Sequence, residues 1–276
     1  MKLPNIAVRI IAGAIFVGLL LGGILINEYT FAIIFSLITV LSLYEFYGLI
    51  EKDTKVPVIR VWNVLGGFFL FLGSFYFCVF DSSALAFVPY IIYVLILFIS
   101  ELYLKRTNPI QSIAYSLLGQ FYIAIPYALT NYLVFAYEPG KYHYVYILAL
   151  LVFIWVNDSF AYLSGMAFGK HRLFERISPK KSWEGFIGGA AVSIGSSLIF
   201  AHFFTNLPVW AWIGFAVVTI VFGTWGDLFE SLIKRTLGVK DSGNMIPGHG
   251  GILDRFDSTI LAIPAIFLYL ILISNI

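Results

Sequence analysis

The sequence predicts an all-α membrane protein, a polytopic bundle of about nine transmembrane helices. Three observations support this fold class. Of the 276 residues, 60% are hydrophobic and only 12% are charged, with a mean hydropathy of +0.92, whereas a soluble domain carries about 25% charged residues. The apolar residues form runs long enough to cross a bilayer. The basic residues are concentrated in every second connection between those runs. Together, these features exclude a water-soluble domain.

The apolar runs define the spans, since an α-helix needs about 20 residues to cross a bilayer. We predict spans at Ile6–Ile26, Phe31–Ile50, Val61–Phe80, Ala84–Leu104, Ile110–Phe135, Val145–Gly165, Gly185–Phe204, Val209–Trp225 and Ile260–Ile276. The last is short unless its helix begins earlier, near Gly251, and Pro126 is expected to kink the fifth. The first is longer than the apolar core of a signal peptide, so we expect it to be retained.

The distribution of charge predicts the orientation. All 17 Lys and Arg residues except Lys141 lie at the N-terminus or in the connections after spans 2, 4, 6 and 8. Because positive residues stay on the cytoplasmic side, we expect the N-terminus inside and the C-terminus outside. Two inner connections are long and polar, Lys170–Glu184 and the stretch from Gly226 to about Ser258. We therefore predict that residues 1–144 form spans 1–5 and that residues 145–276 form a catalytic region of spans 6–9.

A polar helical face is predicted where span 8 ends. Asp227, Ser231 and Lys234 stand at i, i+4 and i+7, so they share one side of a helix. A carboxylate, a hydroxyl and an ammonium group together suit a metal ion and the phosphate bound to it, and Mg²⁺ prefers one or two carboxylates plus phosphate oxygens. Glu230 is better explained as an i, i+4 partner of Lys234.

A glycine-rich stretch follows, with His249 between glycines. Such a backbone can approach an anion closely, although a flexible connection explains the stretch equally well. Asp254 and Asp257 then flank Arg255 at the entry to the last span. We expect Asp254 to be the second metal ligand, converging with Asp227, whereas Asp257 is open between a ligand and a helix cap.

These residues form a recognisable pattern. The stretch Ser231–Asp257 resembles the motif of the phosphatidate cytidylyltransferase family without departure at its specified positions, which are Ser231, Lys234, Arg235, Lys240, Asp241, Gly243, Pro247–Gly251, Asp254, Arg255 and Asp257. The resemblance extends to Asn157–Tyr162, Gly169–Lys170 and Ser178–Gly185. It thus covers most of the C-terminal half, whereas the N-terminal half matches only in being hydrophobic.

The resemblance implies that CTP and phosphatidate react to give CDP-diacylglycerol and pyrophosphate. It implies Mg²⁺ at Asp227 and Asp254, admits K⁺ at the same site, and makes Asp227, Ser231, Lys234 and Asp254 the candidate catalytic residues. The candidate substrate-binding residues are Lys180, Lys181, Arg235, Lys240, His249, Arg255, Asn157 and Asp158. We expect membrane lipids but no nucleic acid as partners, and an active site on the cytoplasmic side of the inner or plasma membrane.

Several alternatives stay open. The Lys180–Lys181 loop fits either a lid over the CTP triphosphate or a basic loop attracted to lipid headgroups. Gly185 and Gly189 are spaced to pack span 7 on a neighbouring helix, or on a second copy in a homodimer. One alternative function is a related CTP-using lipid enzyme, which would keep the charged elements but act on a different lipid. A transporter of anions would place charges near the bilayer midplane, and the roles of Glu45 and Glu101 are undecided.

Overall fold

The computed structural model describes residues 5–80, 83–137, 140–246 and 250–274, without the side chains of residues 5–10 and 53. The described chain is almost entirely helical. Its helices are α1 (Asn5–Ile26), α2 (Glu28–Thr54), α3 (Arg60–Val79), α4 (Val88–Tyr103), α5 (Pro109–Gly119), α6 (Ile125–Phe135), α7 (Val145–Phe168), α8 (Trp183–Phe203), α9 (Val209–Thr236) and α10 (Leu253–Ser274). A short 3₁₀ helix, Ala84–Phe87, precedes α4. Two short strands, β1 (Arg172–Phe174) and β2 (Ser178–Ser182), form the sheet.

The helices confirm the fold class of a polytopic membrane protein. Within the described residues, eight helical segments are long and apolar enough to cross a membrane, and the described apolar part of α1 is Ile11–Ile26. Each of the nine predicted spans coincides with one of these helices or with the α5–α6 pair. The last helix begins at Leu253, close to the early start near Gly251 that the short apolar run required. The orientation of the termini stays a prediction.

The fifth span contains the irregularity expected near Pro126. A π-helical turn, Gln120–Ala124, separates α5 from α6, and the N–H of Ile125 reaches back five residues to the carbonyl of Gln120. Proline has no N–H to donate, so a wider turn beside it is one way to keep neighbouring backbone groups bonded. The side chain of Gln120 then donates to Tyr47 Oη (3.0 Å) and to the carbonyl of Asn63 (2.8 Å). The π-helical turn therefore lies just before Pro126, and the Gln120 side chain within it makes buried polar contacts with α2 and α3.

The chain divides into two compact units. The first comprises residues 1–144 and 236–256, and the second comprises residues 145–235 and 257–276. The polar stretch after α9 therefore packs with the N-terminal helices. In the first unit, Glu101 pairs with Arg106 at 2.7 Å, and Arg106 also donates to the carbonyl of Pro57. Glu101 thus fastens the end of α4 to the connection before α3, as a paired structural residue.

In the second unit, two glycines bring α8 against α7. A Cβ at Gly189 would lie 2.5 Å from the carbonyl oxygen of Asn157, and one at Gly185 would lie 2.8 Å from that of Ala161. Only hydrogen fits in those gaps, so the small residues allow the two backbones to approach closely. The spacing seen in the sequence therefore serves contact with a neighbouring helix of the same chain.

The connection between α7 and α8 is more ordered than the loop that the sequence predicted. Strands β1 and β2 pair antiparallel, with Arg172 opposite Ser182 and Phe174 opposite Ser178. The Glu184 carboxylate fastens the base, accepting hydrogen bonds from the backbone N–H groups of Lys170 and His171 at 3.1–3.2 Å. The hairpin ends at Ser182, whose hydroxyl caps α8 by accepting from Gly185 N at 3.1 Å. Lys180 and Lys181 therefore lie on a strand that is anchored at both ends.

Candidate active site

A carboxylate, a cation and a hydroxyl meet near the end of α9. The Nζ of Lys181, on β2, forms an ion pair with Oδ2 of Asp227. The hydroxyl of Ser231, one helical turn beyond, donates to Oδ1 of Asp227 at 3.3 Å. The side chains of Lys181 and Asp227 are 30% and 26% exposed. The shared helical face predicted for Asp227 and Ser231 is therefore present, and it remains accessible to a ligand.

Lys234 lies on the same helix but contacts a different acid. Its Nζ donates to Oε2 of Glu230 at 3.0 Å, and both side chains are largely buried. This confirms the i, i+4 pair expected for Glu230. A lysine held by a buried partner has fewer positions to sample, so its charge is fixed near the end of α9.

Further acidic groups surround Asp227 within the second unit. Asp158, exposed in the second half of α7, interacts electrostatically with Lys181 and Asp227. Asp257, in the first turns of α10, interacts with Asp227, Glu230 and Asp158. A Cβ at Gly226 would lie 2.6 Å from the carbonyl of Asp257, so the glycine lets α10 approach α9 beside Asp227. The buried Asn157 adds a long, weak bond of 3.4 Å to Asp158. Lys181 is thus placed among several carboxylates whose repulsion it reduces.

Asp254 is held in the first unit, and by backbone groups. Its carboxylate accepts hydrogen bonds from Ser242 N at 2.9 and 3.1 Å and from Gly251 N at 2.9 Å. Its own N–H donates to the hydroxyl of Ser242 at 3.3 Å. Backbone donors fix a carboxylate closely, because they cannot rotate away as side chains can. Asp254 therefore sets the shape of the segment in which it stands.

The remaining candidate residues are charged groups at the surface. Lys180, Arg235, Lys240 and Arg255 are all exposed. His249, with its neighbours Pro247 and Gly248, lies outside the described residues. Exposed cations attract anionic phosphates from the surrounding water. Their assignment to substrate binding stays a prediction.

The donor atoms suit a hard cation such as Mg²⁺. Asp227 is half-buried but accessible, and a carboxylate of this kind leaves most of the ion's coordination positions for water and substrate phosphates. Within the described residues, no three His, Cys, Asp or Glu side chains lie close enough to hold one ion. Asp227 and Asp254 belong to different units. Their convergence on one ion stays a prediction.

Two residues that the sequence analysis left unassigned organise these sites. Glu184 anchors the hairpin, and its Oε1 also lies 2.6 Å from Nδ1 of His171. Glu45, on α2, contacts the segment that carries Asp254. The signal for Glu45 was its charge within an apolar span, since such a group needs a partner. Its partner could not be named, because it lies 208 positions further along the chain.

A wide groove of about 820 Å³ lies beside the base of the hairpin. Its charged and polar lining consists of Lys170, His171, Arg172, Glu175 and Glu184, and Trp183 and Ile187 provide an apolar wall. Tryptophan is typical of the membrane–water interface. The groove therefore combines charged groups of both signs with an apolar wall.

Comparison with known proteins places these features in a family. The sequence model of the cytidylyltransferase family matches residues 7–273. A Bacillus subtilis protein named phosphatidate cytidylyltransferase is 31% identical over 272 residues, covering 96% of this chain and 98% of that protein. Proteins of that name from Staphylococcus aureus and Haemophilus influenzae are 42% and 45% identical over 168 and 134 residues. Those two alignments span only 62% and 46% of the length of the respective relatives.

Proposed function

Because the chain belongs to the cytidylyltransferase family, we propose that it is a CTP:phosphatidate cytidylyltransferase of phospholipid synthesis. A phosphate oxygen of phosphatidate attacks the α-phosphorus of CTP. The bond between the α-phosphorus and the bridging oxygen breaks, releasing pyrophosphate and leaving CDP-diacylglycerol. The observation that carries the proposal is the accessible cluster of Asp227, Lys181 and Ser231 at the end of a membrane helix.

The residues suit a reaction in which positioning and charge matter most. Phosphatidate brings its own nucleophile, so no serine or cysteine has to be activated. The protein must hold two anions in line and stabilise charge on the leaving pyrophosphate. Lys181 and Lys234 supply cations in the second unit, each paired with an acid. The exposed Arg235, Lys240 and Arg255 supply further positive charge for the substrates.

Asp227 and Asp254 are the residues proposed to hold Mg²⁺, with K⁺ admitted at the same site. When bound, the ion neutralises phosphate oxygens and orients them. Ser231 orients the carboxylate of Asp227 through its 3.3 Å hydrogen bond. Lys181 contacts the other oxygen of Asp227, so its ammonium group is available to bind a phosphate beside that carboxylate.

The membrane setting gives access to a lipid substrate. The protein is an integral membrane protein, and the charge distribution supports an active site facing the cytoplasm, where CTP is available. The groove beside the hairpin supports entry of a lipid, because its charged lining, of Lys170 and Arg172 with Glu175 and Glu184, adjoins the apolar Trp183 and Ile187. The hairpin itself is proposed to contact CTP through Lys180.

A labelling experiment tests this function. Purified protein in mixed micelles receives phosphatidate and CTP labelled at either the α- or the γ-phosphate. The proposed transfer moves only the α-label into lipid, whereas the γ-label leaves with pyrophosphate. Transfer of the γ-label into lipid would identify a CTP-dependent lipid kinase, and no lipid labelling with either substrate would favour transport. Either result would overturn the proposal.

A further inference from the structure

Glu45 is a buried acid in a membrane helix, and its contacts lie far away in sequence. The residue is 6% exposed. Its Oε2 accepts a hydrogen bond from Leu253 N at 2.9 Å and another from the Ser242 hydroxyl at 3.2 Å. Both donors belong to the polar segment 236–256, within the same compact unit. A single carboxylate oxygen of α2 thus bonds the beginning of α10 and the turn that precedes it.

Through its bond with Leu253 N, the Glu45 side chain of α2 caps the N-terminus of α10. Leu253 is the first residue of α10, and the first N–H groups of a helix have no partner within it. A carboxylate near a helix N-terminus is also favoured by the helix dipole. Glu45 therefore fixes where α10 begins, one residue before Asp254.

The Ser242 contact leads to Asp254 itself. Ser242 is 4% exposed, and its hydroxyl, which donates to Glu45, accepts from Asp254 N at 3.3 Å. Its backbone N–H donates to the Asp254 carboxylate at 2.9 and 3.1 Å. Glu45 thus reaches Asp254 through one intervening residue as well as along α10.

Two glycines make room for the Glu45 carboxylate. A Cβ at Gly243 would lie 2.5 Å from Oε1 of Glu45, and a Cβ at Gly251 would lie 2.5 Å from Oε2. Atoms cannot approach so closely without displacement, so side chains at these positions would push the carboxylate away. The backbone at Gly243 and at Gly251 therefore packs closely around the Glu45 carboxylate.

We propose that Glu45 is a positioning residue for Asp254. It holds Ser242 and the start of α10 in the conformation that presents the Asp254 carboxylate to the ion and the substrate phosphates. The catalytic part of this inference rests on the proposed function, whereas the anchoring part does not. Glu45 touches neither substrate and acts only through Ser242 and the start of α10.

Three substitutions separate anchoring from charge. Glu45→Leu removes the acceptor at similar size. Glu45→Gln keeps an oxygen at the Oε2 position, and its amide group replaces Oε1, which has no hydrogen-bond partner among the described residues. Ser242→Ala removes only the hydroxyl that joins Glu45 to Asp254 N. This variant tests the anchoring if Glu45→Leu does not fold. Glu101→Leu is the matched control, because Glu101 is the other glutamate that is buried among the described residues of the unit, and it pairs with Arg106.

Hydrogen exchange measures the anchoring without any turnover. In Glu45→Leu we expect the amides of Ser242, Leu253 and Asp254 to exchange at least about tenfold faster, since hydrogen bonds to a charged group are lost. Glu45→Gln should restore most of the protection. Glu101→Leu should leave these amides as in the wild type. Unchanged exchange in both Glu45→Leu and Ser242→Ala would overturn the anchoring.

Dependence on Mg²⁺ measures the positioning. We expect Glu45→Leu to need about tenfold more Mg²⁺ for half-maximal activity, with Glu45→Gln close to wild type and Glu101→Leu unchanged. Faster exchange without a shift in Mg²⁺ dependence would overturn the positioning role. A glutamine variant that behaves like leucine would also overturn it. A wild-type protein that does not label lipid would refute the proposed function, and the exchange data would still decide the anchoring.

Discussion

Asp227 and Asp254 are the same kind of group held in two different ways. Asp227 contacts side chains, namely the ammonium group of Lys181 and the hydroxyl of Ser231. Asp254 accepts from the backbone N–H groups of Ser242 and Gly251. Side chains can turn toward a substrate, whereas backbone donors hold a fixed geometry. Asp227 is therefore suited to exchange partners during turnover, and Asp254 is suited to shape its surroundings permanently.

The largest effect is expected from Asp254→Asn, which should abolish turnover and loosen its segment. An asparagine oxygen accepts fewer bonds than a carboxylate, so the amides of Ser242 and Gly251 should exchange faster. Steady-state assay with saturating Mg²⁺ and hydrogen exchange measure the two effects. Activity within about tenfold of wild type would refute the assignment of Asp254 as a ligand.

Asp227→Asn should abolish turnover without changing exchange at Ser242 and Gly251. Its partners are side chains within the second unit, so the backbone of segment 242–254 does not depend on it. Glu28→Gln, an acid in the first turn of α2, is the control and should stay active. If the amides of Ser242 and Gly251 exchange as much faster in Asp227→Asn as in Asp254→Asn, the two aspartates are not held in different ways.

Substitutions of Lys234 and Lys180 should change different kinetic parameters. Lys234→Ala should mainly lower kcat, because a cation fixed on α9 acts most strongly as charge develops. Lys180→Ala should mainly raise the KM for CTP, since Lys180 is exposed on β2. Each lost charge-assisted bond should cost about 1.5–3 kcal/mol. Rates measured while CTP and phosphatidate are varied separately decide this. A raised KM for phosphatidate alone in Lys180→Ala would reverse the assignment.

Gly189→Ala should lower the thermal stability of the second unit by about 1–3 kcal/mol. Its Cβ would lie 2.5 Å from the carbonyl oxygen of Asn157, a backbone atom that cannot rotate away. Gly195→Ala on the same helix is the matched control, because nothing lies within 4 Å of its Cβ. Thermal unfolding in one detergent compares the two. Equal midpoints would show that close contact between α7 and α8 contributes nothing.

Much of the fold could be predicted from sequence because its causes are local. Apolar runs locate the helices, and Pro126 marks the interrupted span, since both effects act within a few residues. The shared face of Asp227 and Ser231 also follows from helical spacing. The ion pair between Lys181 and Asp227 does not, because it depends on a hairpin and a helix meeting in space. The bond between Glu45 and Leu253 joins residues 208 positions apart.

A reporter fused after Ile276 is expected to leave activity unchanged, which is the smallest of the expected effects. The alternation of basic residues predicts that this end lies outside the cytoplasm. Reporter activity in intact cells gives the location, and retained lipid labelling shows that the fusion still functions. A cytoplasmic location would mean that a span has been miscounted, and the side on which both aspartates lie would have to be revised.

Direct counting of bound ions tests whether Asp227 and Asp254 serve one site. Mn²⁺ suits the same oxygen donors as Mg²⁺ and is visible by electron paramagnetic resonance. Protein in micelles with CTP is titrated with Mn²⁺, comparing wild type with each asparagine variant. We predict that both variants lose the ion that the wild type binds. If either variant binds as much Mn²⁺ as the wild type, the two carboxylates do not share that ion.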